Sequence, residues 1–137
     1  MIQRVRDVLE RRDEVLDGYL FGSQARGDAG VLSDVDVAVY VDATALEQPG
    51  FGIQAELGTE LQKALGRADV DVVILNRASP LLYHRVLRDG IRLVSRSETA
   101  TTTREGSALS RYCDFLPQLR KIEAAHRTRI EAGSYGR

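Results

Sequence analysis

Two aspartates in an alternating, valine-rich segment are the first residues of this sequence that could do chemistry. Asp34 and Asp36 are separated by a single residue, and the positions between and after them are filled by Val35, Val37 and Val39. Side chains alternate between the two faces of a β-strand, so the valines can pack into a core while both carboxylates share the opposite face. Two neighbouring carboxylates repel each other unless a cation neutralises them. Mg²⁺ is typically held by one or two carboxylates together with substrate phosphates, so the pattern predicts a magnesium site.

A glycine and a serine ten residues before this acidic strand supply a second chemical feature. Gly22 and Ser23 follow a short apolar run, and a glycine after a strand lets the backbone turn and approach a ligand closely. Residues 23–26 can start a helix, whose free backbone N–H groups attract phosphate. Arg26 is a candidate phosphate contact because guanidinium matches phosphate geometry, although an exposed arginine on a short helix explains it equally well. The segment therefore predicts a phosphate cradle next to the acidic strand.

The two features together resemble a known signature. The sequence resembles the signature of the DNA polymerase β-like nucleotidyltransferase superfamily, because Gly22-Ser23 is followed by ten residues and then by Asp34-x-Asp36. The fuller form, Gly-Ser-Gln-Ala-Arg-Gly followed by Ser-Asp-Val-Asp, is similar to the minimal nucleotidyltransferase (MNT) branch. The resemblance covers roughly residues 1–96. It implies an enzyme that uses Mg²⁺ to transfer a nucleoside monophosphate from a nucleoside triphosphate to an acceptor hydroxyl.

Such a reaction needs a third carboxylate, as a base or as a further metal ligand. Asp69 directly precedes a predicted apolar strand and Asp71 lies near its start. The two residues have the same parity, so either could face the site. We favour Asp71, because it lies further inside the apolar run, where a charge is costly without a partner, and because the superfamily places an acidic residue there. Asp69 is then the residue that ends the preceding loop. The predicted catalytic and metal-binding set is Asp34, Asp36 and Asp71.

The composition limits the class of protein. A chain of 137 residues with 43% hydrophobic residues suits one domain with its own core. Its net charge of −1 argues against a protein whose main task is to coat nucleic acid. The single cysteine, Cys113, excludes an internal disulfide and fits a reducing compartment. Neither a signal peptide nor an apolar run near the ~20 residues of a membrane span is present, so we expect a cytoplasmic protein that does not bind membranes.

Alternating helix and strand patterns surround the two motifs. We expect a small mixed β-sheet with helices packed on it, an α/β (α+β) domain, and the resemblance implies the palm-like fold of the polymerase β nucleotidyltransferases. Ser79 as N-cap and Pro80 as first helical residue mark one helix start, while Asp17-Gly18 and Gly66 each mark a helix end. The predicted helices are 2–16, 53–65 and 80–89, and the predicted strands are 19–21, 34–41, 70–75 and 91–94.

The last forty residues form a separate segment in this scheme. Residues 97–107 are rich in Ser, Thr and Glu and predict a linker or a weak helix start. An amphipathic helix follows, in which Pro117 predicts a kink or a boundary. We therefore divide the chain into a catalytic domain, 1–96, and a C-terminal segment, 97–137, which either belongs to the same compact unit or docks a partner.

The acceptor is implied only by resemblance. A single catalytic domain followed by an amphipathic helix looks like the antitoxins of the HEPN/MNT toxin–antitoxin systems. That group implies a protein adenylyltransferase that moves AMP from ATP to a tyrosine of its HEPN-type toxin, and it is compatible with a homo- or hetero-oligomer. Two alternatives stay open: a nucleotidyltransferase acting on tRNA or a small molecule, and an antitoxin that neutralises its partner by binding alone.

Overall fold

A mixed four-stranded sheet forms the centre of the molecule. The structure is a computed structural model that describes residues 1–22, 34–47 and 52–131, with side chains described as far as residue 128. The strands are β1 (Val15–Phe21), β2 (Val35–Val41), β3 (Val70–Ile74) and β4 (Ile91–Ser95). They lie in the order β3-β2-β1-β4, with β2 and β3 parallel and the other neighbours antiparallel. The predicted mixed sheet is confirmed.

Helices cover both faces of this sheet. They are α1 (Ile2–Glu10), α2 (Gly52–Leu65), α3 (Pro80–Asp89) and α4 (Glu98–Glu131), with short 3-10 helices at Ala43–Glu47 and Leu75–Arg77. Apolar side chains of α1 and α2 pack with one face of the sheet in the larger core cluster. The second cluster joins the opposite face to α3 and α4. None of the helices in the described part of the chain is long and apolar enough to cross a membrane.

The alternation in β2 assigns its side chains to these two faces. Val35, Val37 and Val39 are fully buried in the cluster beneath α1 and α2. Ala38 belongs to the cluster on the α3 and α4 side. Asp36 has the parity of Ala38 and therefore lies on the side of the sheet that carries α3 and α4.

Several local signals confirm the predicted helix ends. The Ser79 hydroxyl accepts a hydrogen bond from the backbone N–H of Leu82 at 3.2 Å, and Pro80 is the first residue of α3. Gly66 follows α2 with φ +66°, the left-handed conformation typical of a helix-ending glycine.

The first helix is shorter than the predicted range 2–16. It ends at Glu10, and Asp17 and Gly18, which were expected to stop the helix, lie inside β1 instead. Gly18 has a packing reason to be there, because a Cβ atom at this position would approach Leu9 Cδ1 to 2.7 Å. The close contact between α1 and β1 therefore outweighs the helical pattern of the sequence.

The segment 97–107 is a helix start, the second of the two predicted alternatives, and not a linker. It forms the first turns of α4, which continues as one helix of 34 residues through Pro117. Ser97 supports the helix start, since its hydroxyl accepts a hydrogen bond from the backbone N–H of Ala100 at 3.3 Å. Thr101 and Ala108 are fully buried, so the beginning of the helix is packed against the sheet rather than standing clear of it.

Candidate active site

Two of the predicted carboxylates lie directly beside each other in the sheet. Asp36 and Asp71 are register partners on the parallel strands β2 and β3. Asp34 lies one residue before β2 and is exposed, as is Asp71, while Asp36 is half-buried. The fold thus brings three acidic side chains from two separate segments to the same end of β2 and β3.

The pKa of Asp36 reflects this arrangement. Burial raises the pKa of Asp36 the most, and the negative charges of Asp71 and, to a smaller extent, Asp34 raise it further. The ionised form of Asp36 is therefore penalised both by lost hydration and by its neighbours. Such a site favours either a proton or a bound cation at Asp36.

Gly22 completes this end of the sheet. It follows β1 directly and has φ +76°, a left-handed conformation that L side chains rarely adopt. Its neighbour Phe21 is the register partner of Asp36. A Cβ atom on Gly22 would overlap the Asp36 carboxylate oxygen Oδ2 and would lie 3.3 Å from Asp36 Cγ. The turn and the close approach therefore both require glycine, and the glycine lies against the half-buried carboxylate.

Asp69 and Asp71 differ in their partners. The two carboxylate oxygens of Asp69 accept hydrogen bonds from Arg67 Nε and Nη2, both at 2.6 Å. The hydrogen bond from Arg67 is the main reason that the pKa of Asp69 is lowered. Asp69 is thus engaged in a local ion pair, whereas Asp71 lies next to Asp36. This geometry supports the choice of Asp71 as the third carboxylate, which remains a prediction.

The donor set suits magnesium in its chemistry. All three side chains offer carboxylate oxygens, the ligands that hard divalent cations prefer, and a cation there would offset the repulsion that raises the pKa of Asp36. Within the described residues, no three acidic, histidine or cysteine side chains already converge as a preformed metal cage. The carboxylates are adjacent, and a bound cation with its substrate phosphates would have to draw them together. Ser23 and Arg26, the predicted phosphate contacts, lie outside the described residues.

A buried ion pair fixes the strand that leads into this site. Asp17 in β1 is fully buried, and its carboxylate accepts hydrogen bonds from Thr101 Oγ1 at 2.6 Å and from Arg104 Nε and Nη2 at 2.7 Å each. The Tyr19 hydroxyl donates to Glu105 at 2.9 Å, and burial followed by this hydrogen bond raises the pKa of Tyr19. The strand that leads to Gly22 is therefore tied to α4.

Little in the sequence predicted this connection. Asp17 and Arg104 are 87 residues apart, and the aspartate stands beside a glycine in what resembles a helix stop. The available signal was the spacing of Thr101, Arg104 and Ala108, which places all three on one side of a helix.

The glycine turn, the paired strands and their carboxylates define a protein of the nucleotidyltransferase class. A sequence model of the family described as "Polymerase beta, Nucleotidyltransferase" matches residues 3–99. The chain belongs to this family, within which it resembles the minimal nucleotidyltransferases. None of the curated proteins compared with the chain is significantly similar to it in sequence.

Solved structures share the fold over almost the whole chain. One is a chain of a toxin–antitoxin complex with AMP-PNP, which is 25% identical at a TM-score of 0.75, with 92% of this chain and 98% of that chain covered. Another comes from a complex of a tri-AMPylated Shewanella oneidensis HEPN toxin with its MNT antitoxin, at 24% identity and a TM-score of 0.68, covering 93% and 99% of the two chains. The similarity therefore extends beyond residue 99 into α4.

Proposed function

We propose that the protein is a magnesium-dependent nucleotidyltransferase that transfers AMP from ATP to a tyrosine hydroxyl of a HEPN-type toxin, and so acts as its antitoxin in the cytoplasm. The observation that carries the proposal is the register pairing of Asp36 with Asp71, with Gly22 packed against Asp36. A half-buried carboxylate with a raised pKa beside two further acidic groups is costly for the fold alone. A site that must hold a cation and a triphosphate explains that cost.

In the proposed reaction the acceptor oxygen forms a bond to the α-phosphorus of ATP. The bond from that phosphorus to the oxygen bridging the α- and β-phosphates breaks, and pyrophosphate leaves. The hydroxyl proton passes to Asp71 or to water. Magnesium held by Asp34, Asp36 and Asp71 would offset the negative charge of the phosphates. Gly22 leaves room for close approach of the triphosphate, because it carries no side chain at the turn.

The choice of acceptor rests on the similar solved structures. The structure that is 25% identical belongs to a toxin–antitoxin complex with an ATP analogue, and nearly the full length of both chains is matched. A second complex, in which one chain has the same fold as this protein, contains a tri-AMPylated HEPN toxin. These likenesses make a HEPN-type protein the first acceptor to test, ahead of a tRNA end or a small molecule.

The position of the radioactive label in ATP tests the reaction type directly. The full-length protein is incubated with Mg²⁺, with ATP labelled either on the α- or on the γ-phosphate, and with the product of the neighbouring gene, which we expect to be a HEPN-type protein. We expect label in the HEPN-type protein from α-labelled ATP only, because AMP transfer retains the α-phosphate and releases the other two. Label from γ-labelled ATP would indicate a kinase, and label in tRNA alone would replace the proposed acceptor. Unmodified HEPN-type protein that is nevertheless inhibited would indicate an antitoxin acting by binding alone.

A further inference from the structure

An apolar stripe on α4 continues beyond the part of the helix that the domain covers. The stripe consists of Ala108, Tyr112, Phe115, Leu119 and Ile122, which follow each other at alternating spacings of four and three residues. This is the spacing of a helix surface that packs along another helix. Its exposure changes along its length, from fully buried at Ala108 to 59% exposed at Ile122.

The helix α3 covers the beginning of this stripe. The rings of His84 and Tyr112 stack at a centroid distance of 3.6 Å, and Arg111 lies over the ring of Tyr83 at 5.7 Å. Phe115 and Leu119 are still partly covered. From residue 120 to residue 128 every side chain is exposed. We call residues 120–128 the projecting segment.

The projecting segment has features of an interface. A helical end without tertiary packing is marginal in water, because most helical stability comes from packing of an apolar face. Ile122 belongs to a shallow groove that is also lined by Glu123, His126 and Arg127. Since the stripe contacts α3 through Tyr112 and keeps its spacing as far as Ile122, the natural occupant of its continuation is another helix.

The charge of the segment selects among possible occupants. The segment contains three basic residues and one acidic residue, namely Arg120, Lys121, Arg127 and Glu123, whereas the chain as a whole has a net charge of −1. A second copy of the same segment would place basic residues against basic residues, which is unfavourable. A helix with acidic residues flanking its apolar face would be complementary.

We infer that the projecting segment is the docking site for a partner helix with an apolar face and acidic flanks, carried by the toxin of the proposed function. The inference rests on that function only for the identity of the partner. Docking on α4 would also hold the partner in a fixed position relative to the sheet, because Asp17 and Arg104 tie α4 to β1.

Binding is measured by calorimetry between the neighbouring HEPN-type protein and the full-length chain carrying Asp36→Asn, so that labelling cannot change the partner. Two further variants are added to this parent: Ile122→Asp, and the double charge reversal Lys121→Glu with Arg127→Glu. We expect each to weaken binding by roughly tenfold or more, as for a central interface residue and its charged rim. Added salt should weaken binding of the parent and affect the charge-reversed protein less.

Matched controls lie on α1 and directly after it. Ile2→Asp makes the same chemical change at an isoleucine that is 38% exposed, and Arg4→Glu with Arg11→Glu reverses two exposed charges. We expect all controls to bind as the parent does. Circular dichroism tests whether each variant is folded, which is expected because every side chain substituted in addition to Asp36 is exposed.

Several results would overturn the inference. These are equal binding by the parent and the two variants, no binding of the HEPN-type protein by the parent, or loss of a homodimer on Ile122→Asp with partner binding unchanged. Tight binding of single-stranded RNA that is lost on charge reversal, with partner binding intact, would also overturn it. Failure of the proposed function is distinguishable, since the wild-type protein would then bind the partner through this segment without transferring label from α-labelled ATP.

Discussion

Replacing Gly22 by alanine tests how the turn after β1 supports the acidic site. The substitution adds one methyl group at a residue with φ +76°, and that group would overlap Oδ2 of Asp36. A left-handed conformation costs an L residue about 1–2 kcal/mol, before any displacement of the carboxylate is counted. We therefore expect the free energy of unfolding to fall by more than this amount, and ATP to bind more weakly because Asp36 is displaced. Urea denaturation and calorimetric titration with ATP and Mg²⁺ measure the two effects.

Two other glycines separate the contributions. Gly66 has φ +66° and nothing within 4 Å of the Cβ position, so Gly66→Ala introduces the backbone strain alone. Gly58 lies in α2 with equally open space, and Gly58→Ala should stabilise the protein by up to about 1 kcal/mol through helix propensity. We expect ATP affinity to change only for Gly22→Ala. If Gly22→Ala costs no more stability than Gly66→Ala and binds ATP normally, Gly22 is an ordinary turn residue and the reasoning about its contact with Asp36 is wrong.

Three further substitutions test the electrostatics and packing of the domain. Because the folded-state pKa of Asp36 is raised, ionising Asp36 costs stability as the pH rises from its unfolded pKa through its folded pKa. Asp36→Asn should therefore be more stable than wild type at neutral pH and equally stable in acid. Urea titrations at several pH values that show no difference in stability would contradict this. Arg104→Met leaves Asp17 buried without its cation, so the free energy of unfolding, measured by the same denaturation, should fall by about 3–5 kcal/mol. A fall of less than about 1 kcal/mol would show that the ion pair does not hold α4 in place. The Tyr83 hydroxyl is buried without a hydrogen-bond partner among the described residues. Tyr83→Phe should therefore leave the stability of the protein unchanged or raise it by up to about 1–3 kcal/mol. A clearly lower melting temperature for this variant would indicate that the hydroxyl binds a water molecule.

Local chemistry made the acidic end of the sheet predictable. The parity of Asp34 and Asp36 against the buried valines follows from strand geometry alone, and the structure places Asp36 on the face opposite the valines. The register pairing of Asp36 with Asp71 was not available from local pattern, because it depends on how β2 and β3 pair. The prediction of Asp71 as the third carboxylate depends instead on its position inside the apolar run and on the resemblance to a family signature.

Long-range contacts explain the parts of the fold that the sequence did not predict. Asp17 resembles a helix stop when seen with its chain neighbours, and Arg104 resembles a solvated charge in a Thr-rich stretch. Their hydrogen bonds across 87 residues turn the first into a buried strand residue and the second into part of a packed helix. The same contacts decide between the two predictions for residues 97–107, a linker or a weak helix start, in favour of the helix.

The most direct test compares AMP transfer by wild type with transfer by Asp36→Asn, Asp71→Asn and Asp69→Asn, using α-labelled ATP and the neighbouring HEPN-type protein. The three variants make the same chemical change, but only Asp36 and Asp71 are register partners, while Asp69 is bound to Arg67. We predict that Asp69→Asn transfers label at close to the wild-type rate. Asp36→Asn and Asp71→Asn should be slower by a factor of about 10² or more, as expected on loss of a metal ligand or general base. Transfer at the wild-type rate by Asp36→Asn or Asp71→Asn would contradict the assignment of this end of the sheet as the active site.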